Sequence, residues 1–412
     1  MTSSVLTSNK TTLRVPDKPD LARMRRETGA RIRAEMTERG VDALILLGNN
    51  AVAYATGVSW PLGDAGLSHV ERPVAVILPD DEWPYLFLPI RDGAPADSVL
   101  PDDHVLPPVY LEFDEGVETF ARILEDLVPA DATYAVDEST GAMLRAAKRL
   151  FPSGPPRDAA LIIGAAKLIK TVDELSCIRN ACRITEEAMA EVQAALSPGM
   201  RQIDLSAGFV RRAFERGATA NMLDAIWQVM PSSKDTGVWT THGDLALPLL
   251  TTERELAKGD VLWVDVSITY SGYCSDFGRT WIVGQDPTVR QQAQFRQWKD
   301  LITAVFETLR PGVTLEDLAN AAIAANGGTK PWLPHFYLGH SIGTSAAEMP
   351  MIGTDLGPTY DKNFILKPGM VLVLEPVVWE DGTGGYRSEE IVVITEEGFA
   401  PLTDYPYTPY GD

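Results

Sequence analysis

Asp265 and Asp276 lie in one stretch, Val261-Leu-Trp-Val-Asp265-Val-Ser-Ile-Thr-Tyr-Ser-Gly272-Tyr-Cys-Ser-Asp276-Phe-Gly-Arg-Thr280, whose first half is apolar and β-branched. Gly272 marks a turn within it. A hairpin whose two-residue loop is Tyr270-Ser271 sets the two aspartates opposite one another, with Cβ atoms about 5 Å apart. Two carboxylates so placed repel, and one is driven to keep its proton unless a cation lies between them. A longer loop breaks that register. A second pair follows. Glu375 ends the apolar strand Met370-Val-Leu-Val-Leu-Glu375, and Glu389 opens another in Arg387-Ser-Glu389-Glu390-Ile-Val-Val-Ile-Thr395. The turn residues Glu380-Asp-Gly-Thr-Gly-Gly385 lie between, and both glutamates are equally far from Gly382. Acids in strands this apolar require a partner. Between the hairpins, Tyr337-Leu-Gly-His340-Ser-Ile-Gly343 supplies one imidazole flanked by glycines. Four carboxylates and one histidine make an oxygen-rich set, better suited to Mn²⁺, Fe²⁺ or Co²⁺ than to a closed structural zinc site. Any one of these acids alone reads as an ordinary salt-bridge partner, and His340 alone as a hydrogen-bonded loop histidine. The joint claim is the sharper one.

The elements that must position these residues begin with a helix from Leu21 to Arg39, ended by Gly40, and a buried strand over Ala43–Leu47. Pro73–Pro79 and Pro84–Pro89 read as a hairpin through Asp80-Asp81. A helix over Gly116–Leu127, a strand over Thr133–Val136 and a helix over Thr140–Leu150 complete an alternating α/β unit. Phe151-Pro-Ser-Gly-Pro-Pro156 is a boundary signal. Thr171-Val-Asp-Glu174 forms a capping box. The long helix it opens carries Leu175, Ile178, Cys182, Met189, Val192 and Leu196 on one face and ends at Pro198-Gly199. The expected organisation is a disordered polar lead-in (1–18), an N-terminal domain (19–165) and a metal-binding catalytic domain (166–412).

The length, 412 residues, is more than one core usually takes. A net charge of −21 argues against nucleic acid or an anionic membrane as partner. Three cysteines at Cys177, Cys182 and Cys274 give no disulfide framework. With no apolar segment of signal or membrane-span length, the expected address is the cytoplasm.

At the ligand segments the sequence resembles the creatinase and Xaa-Pro peptidase family, the pita-bread fold, and does so over nearly the whole chain. The motifs GYxSDxxRT, GHxIG, an EP-containing strand and a final RxE strand stand here at Gly272–Thr280, Gly339–Gly343, Glu375-Pro376 and Arg387–Glu389. The resemblance implies an α+β chain: a creatinase-like N-terminal α/β domain followed by a pita-bread catalytic domain. It implies two divalent metal ions. Asp265 would chelate one, Asp276 and Glu389 would bridge both, and His340 and Glu375 would complete the other site. It also implies a homodimer and hydrolysis of an amide bond, often one followed by proline.

The departures are as informative. The family's HExP segment reads Ala347-Glu348-Met349-Pro350 here, so Ala347 stands in place of the substrate-contacting histidine. For the upstream histidine, the aligned stretch is Leu245-Ala-Leu-Pro248, with His242 displaced from the expected spacing and His335 one residue off another family position. His242, Glu348 and Arg387 are accordingly the candidate catalytic residues, and Arg72, His335 and Tyr337 the candidate substrate-binding ones. Arg72 falls where creatinase has an arginine that reaches the partner subunit's substrate carboxylate, with an interface arginine as the plainer alternative. Creatinase has lost the metal ligands kept here and carries an acid where this chain has Gly278, so creatine itself is not the expected substrate. The expected function is a two-metal hydrolase of a C–N bond in a small carboxylate, Xaa-Pro dipeptidase-like. The alternatives are a metal-dependent lyase resembling dimethylsulfoniopropionate lyase, with Glu348 or Tyr337 as base, a creatinase-like amidinohydrolase, or a binding module without catalysis. Trp227 and Trp239 could line the substrate pocket, although core packing is the simpler role.

Overall fold

The run Ala43–Leu46 is strand β1, apolar and buried at all of its positions because both faces of its sheet are covered. In the computed structural model, which describes residues 9–58, 72–88, 100–230, 232–233, 253–332, 336–354 and 359–411 (without the side chains of 221–226), the chain divides into two units. One comprises residues 18–173, the other residues 1–17 and 174–412.

In the first unit β1 is joined by β2 (Val74–Ile77), β3 (Tyr85–Phe87), β4 (Val105–Leu106), β5 (Tyr134–Val136) and β6 (Arg157–Asp158) in the order β4-β3-β2-β1-β5-β6. The expected β2–β3 hairpin is present, with Val74 opposite Phe87. Side chains alternate across the sheet and feed two cores. Ala43, Ile45, Val76, Phe87 and Tyr134 pack on Phe120 and Leu124 of the helix Asp114–Leu127. Leu44, Leu46, Ala75 and Ala135 pack with Ile32 and Met36 of the helix Leu21–Glu38 and Ile162 of the helix Ala160–Leu168. The first of these helices ends as expected, with Gly40 at φ 59°. The expected helix over Thr140–Leu150 is instead two short pieces, Gly141–Arg145 and Ala147–Leu150, broken at Ala146, whose φ of −94° and ψ of 12° leave the helical region.

The second unit is built on hairpins. Strands β7 (Ala220–Val229), β8 (Val261–Tyr270), β9 (Tyr273–Cys274) and β10 (Phe277–Ile282) form one sheet, with β8 paired to all three others. Strands β11 (Gly339–Ser341), β12 (Glu348–Ile352), β13 (Val371–Leu374), β16 (Glu390–Ile394) and β17 (Phe399–Pro401) form another. β14 (Val377–Glu380) and β15 (Gly384–Arg387) make a separate ribbon. The long helix runs Val172–Ala195 and buries the face that contains Ile178, Cys182 and Met189.

Part of the lead-in is ordered, contrary to the expectation of disorder. Asn9 O accepts from Phe399 N at 3.0 Å and Thr11 N donates to Phe399 O at 2.8 Å, so residues 9–11 cover an otherwise open edge at β17. Pro16 O accepts from the Ser176 hydroxyl.

Phe120 is fully buried and meets Phe87 edge-on at 5.4 Å. Phe120→Ala is expected to destabilise the N-terminal unit by about 3–5 kcal/mol through the lost burial and the cavity left behind. Urea unfolding followed by circular dichroism measures this, and a loss below about 1 kcal/mol would contradict the packing described.

Candidate metal centre

The first hairpin turns one residue later than the sequence implies. Ser271 (φ 50°) and Gly272 (φ 81°) are its loop, both at positive φ as a type I′ turn requires. Tyr270 therefore pairs with Tyr273, and Asp265 stands opposite Gly278 instead of Asp276. The Ser275 N–H still donates to Ile268 O at 2.9 Å, so Asp276 continues the ladder diagonally from Asp265 and on the same face. That is close enough. Carboxylate oxygens of Asp265, Asp276 and Glu389 lie within 4.8 Å of one another.

The second pair has the expected register. The β13–β16 and β14–β15 ladders are both centred on Gly382, and Glu375 and Glu389 sit at the junction between them. Main-chain bonds then stitch the ligand segments together. Glu389 N donates to Gly278 O at 3.0 Å, Glu375 N to Leu338 O at 2.9 Å, and Cys274 N to Gly343 O at 2.7 Å. A Cβ at Gly278 would lie 2.6 Å from Val264 O and 2.8 Å from Glu389 Oε1. The absent side chain leaves Glu389 its place beside Asp265.

All five predicted ligands are buried. His340 Nε2 lies 3.2 Å from Asp276 Oδ2 and 3.2 Å from Glu375 Oε1, and its Nδ1 faces Ser341 O at 2.9 Å. Arg387 enters the same cluster. Its guanidinium pairs with Asp265 Oδ2 at 3.0 Å, with Glu389 Oε1 at 2.5 Å and with Glu375. Its other partner is the Trp263 ring, 4.7 Å from centroid to guanidinium carbon. Trp263 carried no signal in the sequence, being one more apolar position of a buried strand. Gly278, Arg279 and Thr280 were visible only as part of a motif.

Burial raises the carboxyls of Glu389, well above the usual range, and of Asp276, to about 7 despite the His340 hydrogen bond. Burial also disfavours the His340 imidazolium, but hydrogen bonds to Asp276 and Glu375 outweigh it and hold this group well above its ordinary value. For Glu375 burial is overcome by Arg387 and His340, and its carboxyl is lowered. Four carboxylates thus share one guanidinium and one imidazole in a buried space. Asp265 Oδ1 and Glu389 Oε2 have no hydrogen-bond partner among the described residues. Orphaned, buried carboxylate oxygens around a surplus of negative charge fit divalent cations.

Of the remaining candidates, Tyr337 is half-buried, stacks on Phe336 at 4.0 Å and meets His340 edge-on at 5.1 Å. Burial, then Glu375 and Asp276, push its hydroxyl far up, so it is a proton donor and unsuited to act as the base of an elimination. Glu348 Oε1 accepts from Thr344 N at 3.0 Å and Ser345 N at 3.2 Å, so this oxygen holds the turn after β11. Ala347 is exposed. Arg72 lies in the other unit, where it pairs with Glu138 at 2.7 Å and Glu112 at 3.1 Å. His242, His335 and Trp239 lie outside the described residues. Trp227 is core, packed on Phe209 and Trp281.

Residues 176–396 match the profile of metallopeptidase family M24, and residues 30–169 that of the creatinase/prolidase N-terminal domain. The chain belongs to metallopeptidase family M24. Among its relatives, the probable dipeptidase PepE of Mycobacterium tuberculosis is 29% identical over 351 residues, covering 82% of this chain and 85% of the relative. The Xaa-Pro dipeptidase of Pyrococcus horikoshii is 26% identical over 372 residues, covering 89% and 94%. In fold the chain is similar to the Xaa-Pro dipeptidase from Bacillus anthracis (TM-score 0.72, 21% identity, 92% of this chain and 98% of that one). It is likewise similar to dipeptidase PepE from Mycobacterium ulcerans (TM-score 0.71, 24% identity, 94% and 97%). Membership identifies the chain as a metallohydrolase acting on a peptide bond, and the family implies divalent metal ions.

Metal ligation requires His340 and Asp276 to give up protons that the buried cluster otherwise retains, Asp276 up to about pH 7. Mn²⁺ affinity is therefore expected to rise about tenfold per pH unit between pH 6 and 7 for each proton displaced. Competition titrations at pH 6, 7 and 8 measure this, and a flat affinity would contradict the protonation pattern.

Proposed function

We propose that this chain is a two-metal dipeptidase for Xaa-Pro or similarly small, carboxylate-bearing substrates, with Asp265, Asp276, His340, Glu375 and Glu389 as metal ligands. The observation that carries this reading is the convergence of those five side chains, from two hairpins and strand β11, on one buried space with orphaned carboxylate oxygens. Bound there, two divalent ions would acidify a water and polarise the scissile carbonyl. Mn²⁺, Fe²⁺ or Co²⁺ fits the oxygen-rich ligands better than Zn²⁺.

The chain's own groups have separable tasks. Arg387 tempers the carboxylate repulsion and, held on Trp263, offers a guanidinium edge near the reacting bond. Tyr337, kept protonated beside His340, donates a hydrogen bond to a substrate oxygen. The missing imidazole at Ala347 leaves His242 or His335 as the source of a further substrate contact. Arg72 carries a fork suited to a substrate carboxylate. In a homodimer it would leave Glu112 and Glu138 to reach the neighbouring active site. Three free, buried cysteines are in keeping with the reducing cytoplasm.

Hydrolysis is favoured over elimination because both groups considered as the base are otherwise engaged. Tyr337 is held protonated, and Glu348 is bonded to its own turn.

Mn²⁺-loaded protein is expected to release free proline from a panel of Xaa-Pro dipeptides, with release falling to background in Asp276→Ala. No release from protein shown by elemental analysis to contain metal would overturn the dipeptidase reading. An unsaturated product from a small β-substituted carboxylate would instead establish the lyase.

A further inference from the structure

Behind the ligand strands, on the face turned away from the carboxylates, Arg279 is buried at 1% exposure. Successive residues of an extended chain point to opposite faces, so Glu389 reaches the ligand cluster while Glu390 points back toward Arg279. Both terminal nitrogens of the guanidinium are engaged there, while Nε has no hydrogen-bond partner among the described residues. Nη1 donates to Gly278 O at 3.1 Å and to Glu389 O at 2.5 Å, and Nη2 donates to Tyr405 O at 2.9 Å. Nη2 also pairs with Glu390 Oε1 at 3.1 Å. The guanidinium carbon lies 4.3 Å from the centroid of the Phe277 ring and 4.8 Å from that of Tyr407.

One side chain thus ties three segments that are far apart in sequence: β10, the main chain of Glu389, and the C-terminal tail. The tail is anchored in turn. Tyr407 donates to Glu390 Oε1 at 2.8 Å, Asp404 N to Glu186 Oε1 at 2.6 Å, and the Tyr405 hydroxyl to Gln193 Oε1 at 2.7 Å. Glu186 and Gln193 belong to the helix Val172–Ala195. Thr280 adds a second clasp next door, its hydroxyl donating to Arg387 O at 2.5 Å and accepting from Arg387 N at 3.1 Å.

We infer that Arg279, buttressed by the tail through Tyr405 and Tyr407, is a positioning residue that fixes the backbone of Glu389 and thereby the geometry of the metal centre. This rests on the metal-centre reading above. It assigns to the last residues of the chain a role in metal binding. A carboxylate's aim is set by its Cα and its rotamer, and Arg279 restrains the Cα through the Glu389 carbonyl. Lysine keeps the charge but supplies no planar fork for three carbonyls and a carboxylate. Tyr407→Phe keeps the ring and removes only the donor to Glu390.

The test is Mn²⁺ affinity by calorimetric titration, together with the visible absorption of Co²⁺-loaded protein. It compares the parent, Arg279→Lys, Tyr407→Phe and the surface control Arg290→Ala, each shown to be folded by circular dichroism. Arg279→Lys is expected to weaken Mn²⁺ binding about 10–100-fold and Tyr407→Phe roughly 3–10-fold, the range for groups that orient metal ligands. Both should shift the Co²⁺ bands, with Arg290→Ala matching the parent. Folded variants that bind Mn²⁺ like the parent and keep its Co²⁺ spectrum would overturn the inference and leave Arg279 a purely structural residue. If Arg279→Lys does not fold, Tyr407→Phe decides alone. A parent that binds no metal would overturn the metal-centre reading itself, whereas a parent that binds metal but releases no proline leaves this inference standing.

Discussion

Four carboxylates are held in one buried space, and their mutual repulsion is the constraint that the catalytic unit is built around. Unpaired charge in such a place costs several kcal/mol per ion by the usual order of magnitude. The protein meets part of that cost with Arg387 and His340, and leaves Asp265 Oδ1 and Glu389 Oε2 without a hydrogen bond among the described residues. Divalent ions bound there, as proposed, would complete the balance. Without them the cluster holds protons instead, which is why burial pushes Asp276 and Glu389 upward.

Assembling such a site against its own repulsion requires a frame stiffer than the side chains. The frame here is main-chain hydrogen bonding: Glu375 to Leu338 extends the β11–β13 ladder, while Glu389 to Gly278 and Cys274 to Gly343 join elements of different sheets. Arg279 and Thr280 reinforce it from behind. Ligands carried on strand ends and pinned by backbone contacts lose little freedom when metal enters, and that is the condition for a well-defined coordination geometry.

The sequence made the buried cluster of four acids and His340 legible because acids inside apolar strands are rare, and two such pairs around a glycine-flanked histidine stand out. The Gly382-centred register of the second pair followed from its glycine-rich turn. The first turn lies one residue later than expected, which moves the partner of Asp265 by two residues, from Asp276 to Gly278. Ser271 occupies a positive φ that its residue type does not announce, and only Gly272 was visible as a turn former. The site survives the shift because Asp276 moves diagonally along the same face. Other features depend on tertiary contacts that one sequence does not display. The break at Ala146 has no proline or glycine to mark it. The polar residues 9–11 are ordered by the edge of β17, and Trp263 differs from its apolar neighbours only in facing Arg387.

The central claim is that these five side chains bind two metal ions together. Diffraction from crystals of the Mn²⁺-loaded protein, collected for anomalous scattering from manganese, tests it most directly. The account predicts two anomalous peaks within coordination distance of Asp265, Asp276, His340, Glu375 and Glu389, with Asp276 and Glu389 touching both and Arg387 withdrawn from at least one of its carboxylates. An absence of peaks in this cluster at saturating Mn²⁺, with Arg387 still bonded to Asp265, Glu375 and Glu389, would contradict it.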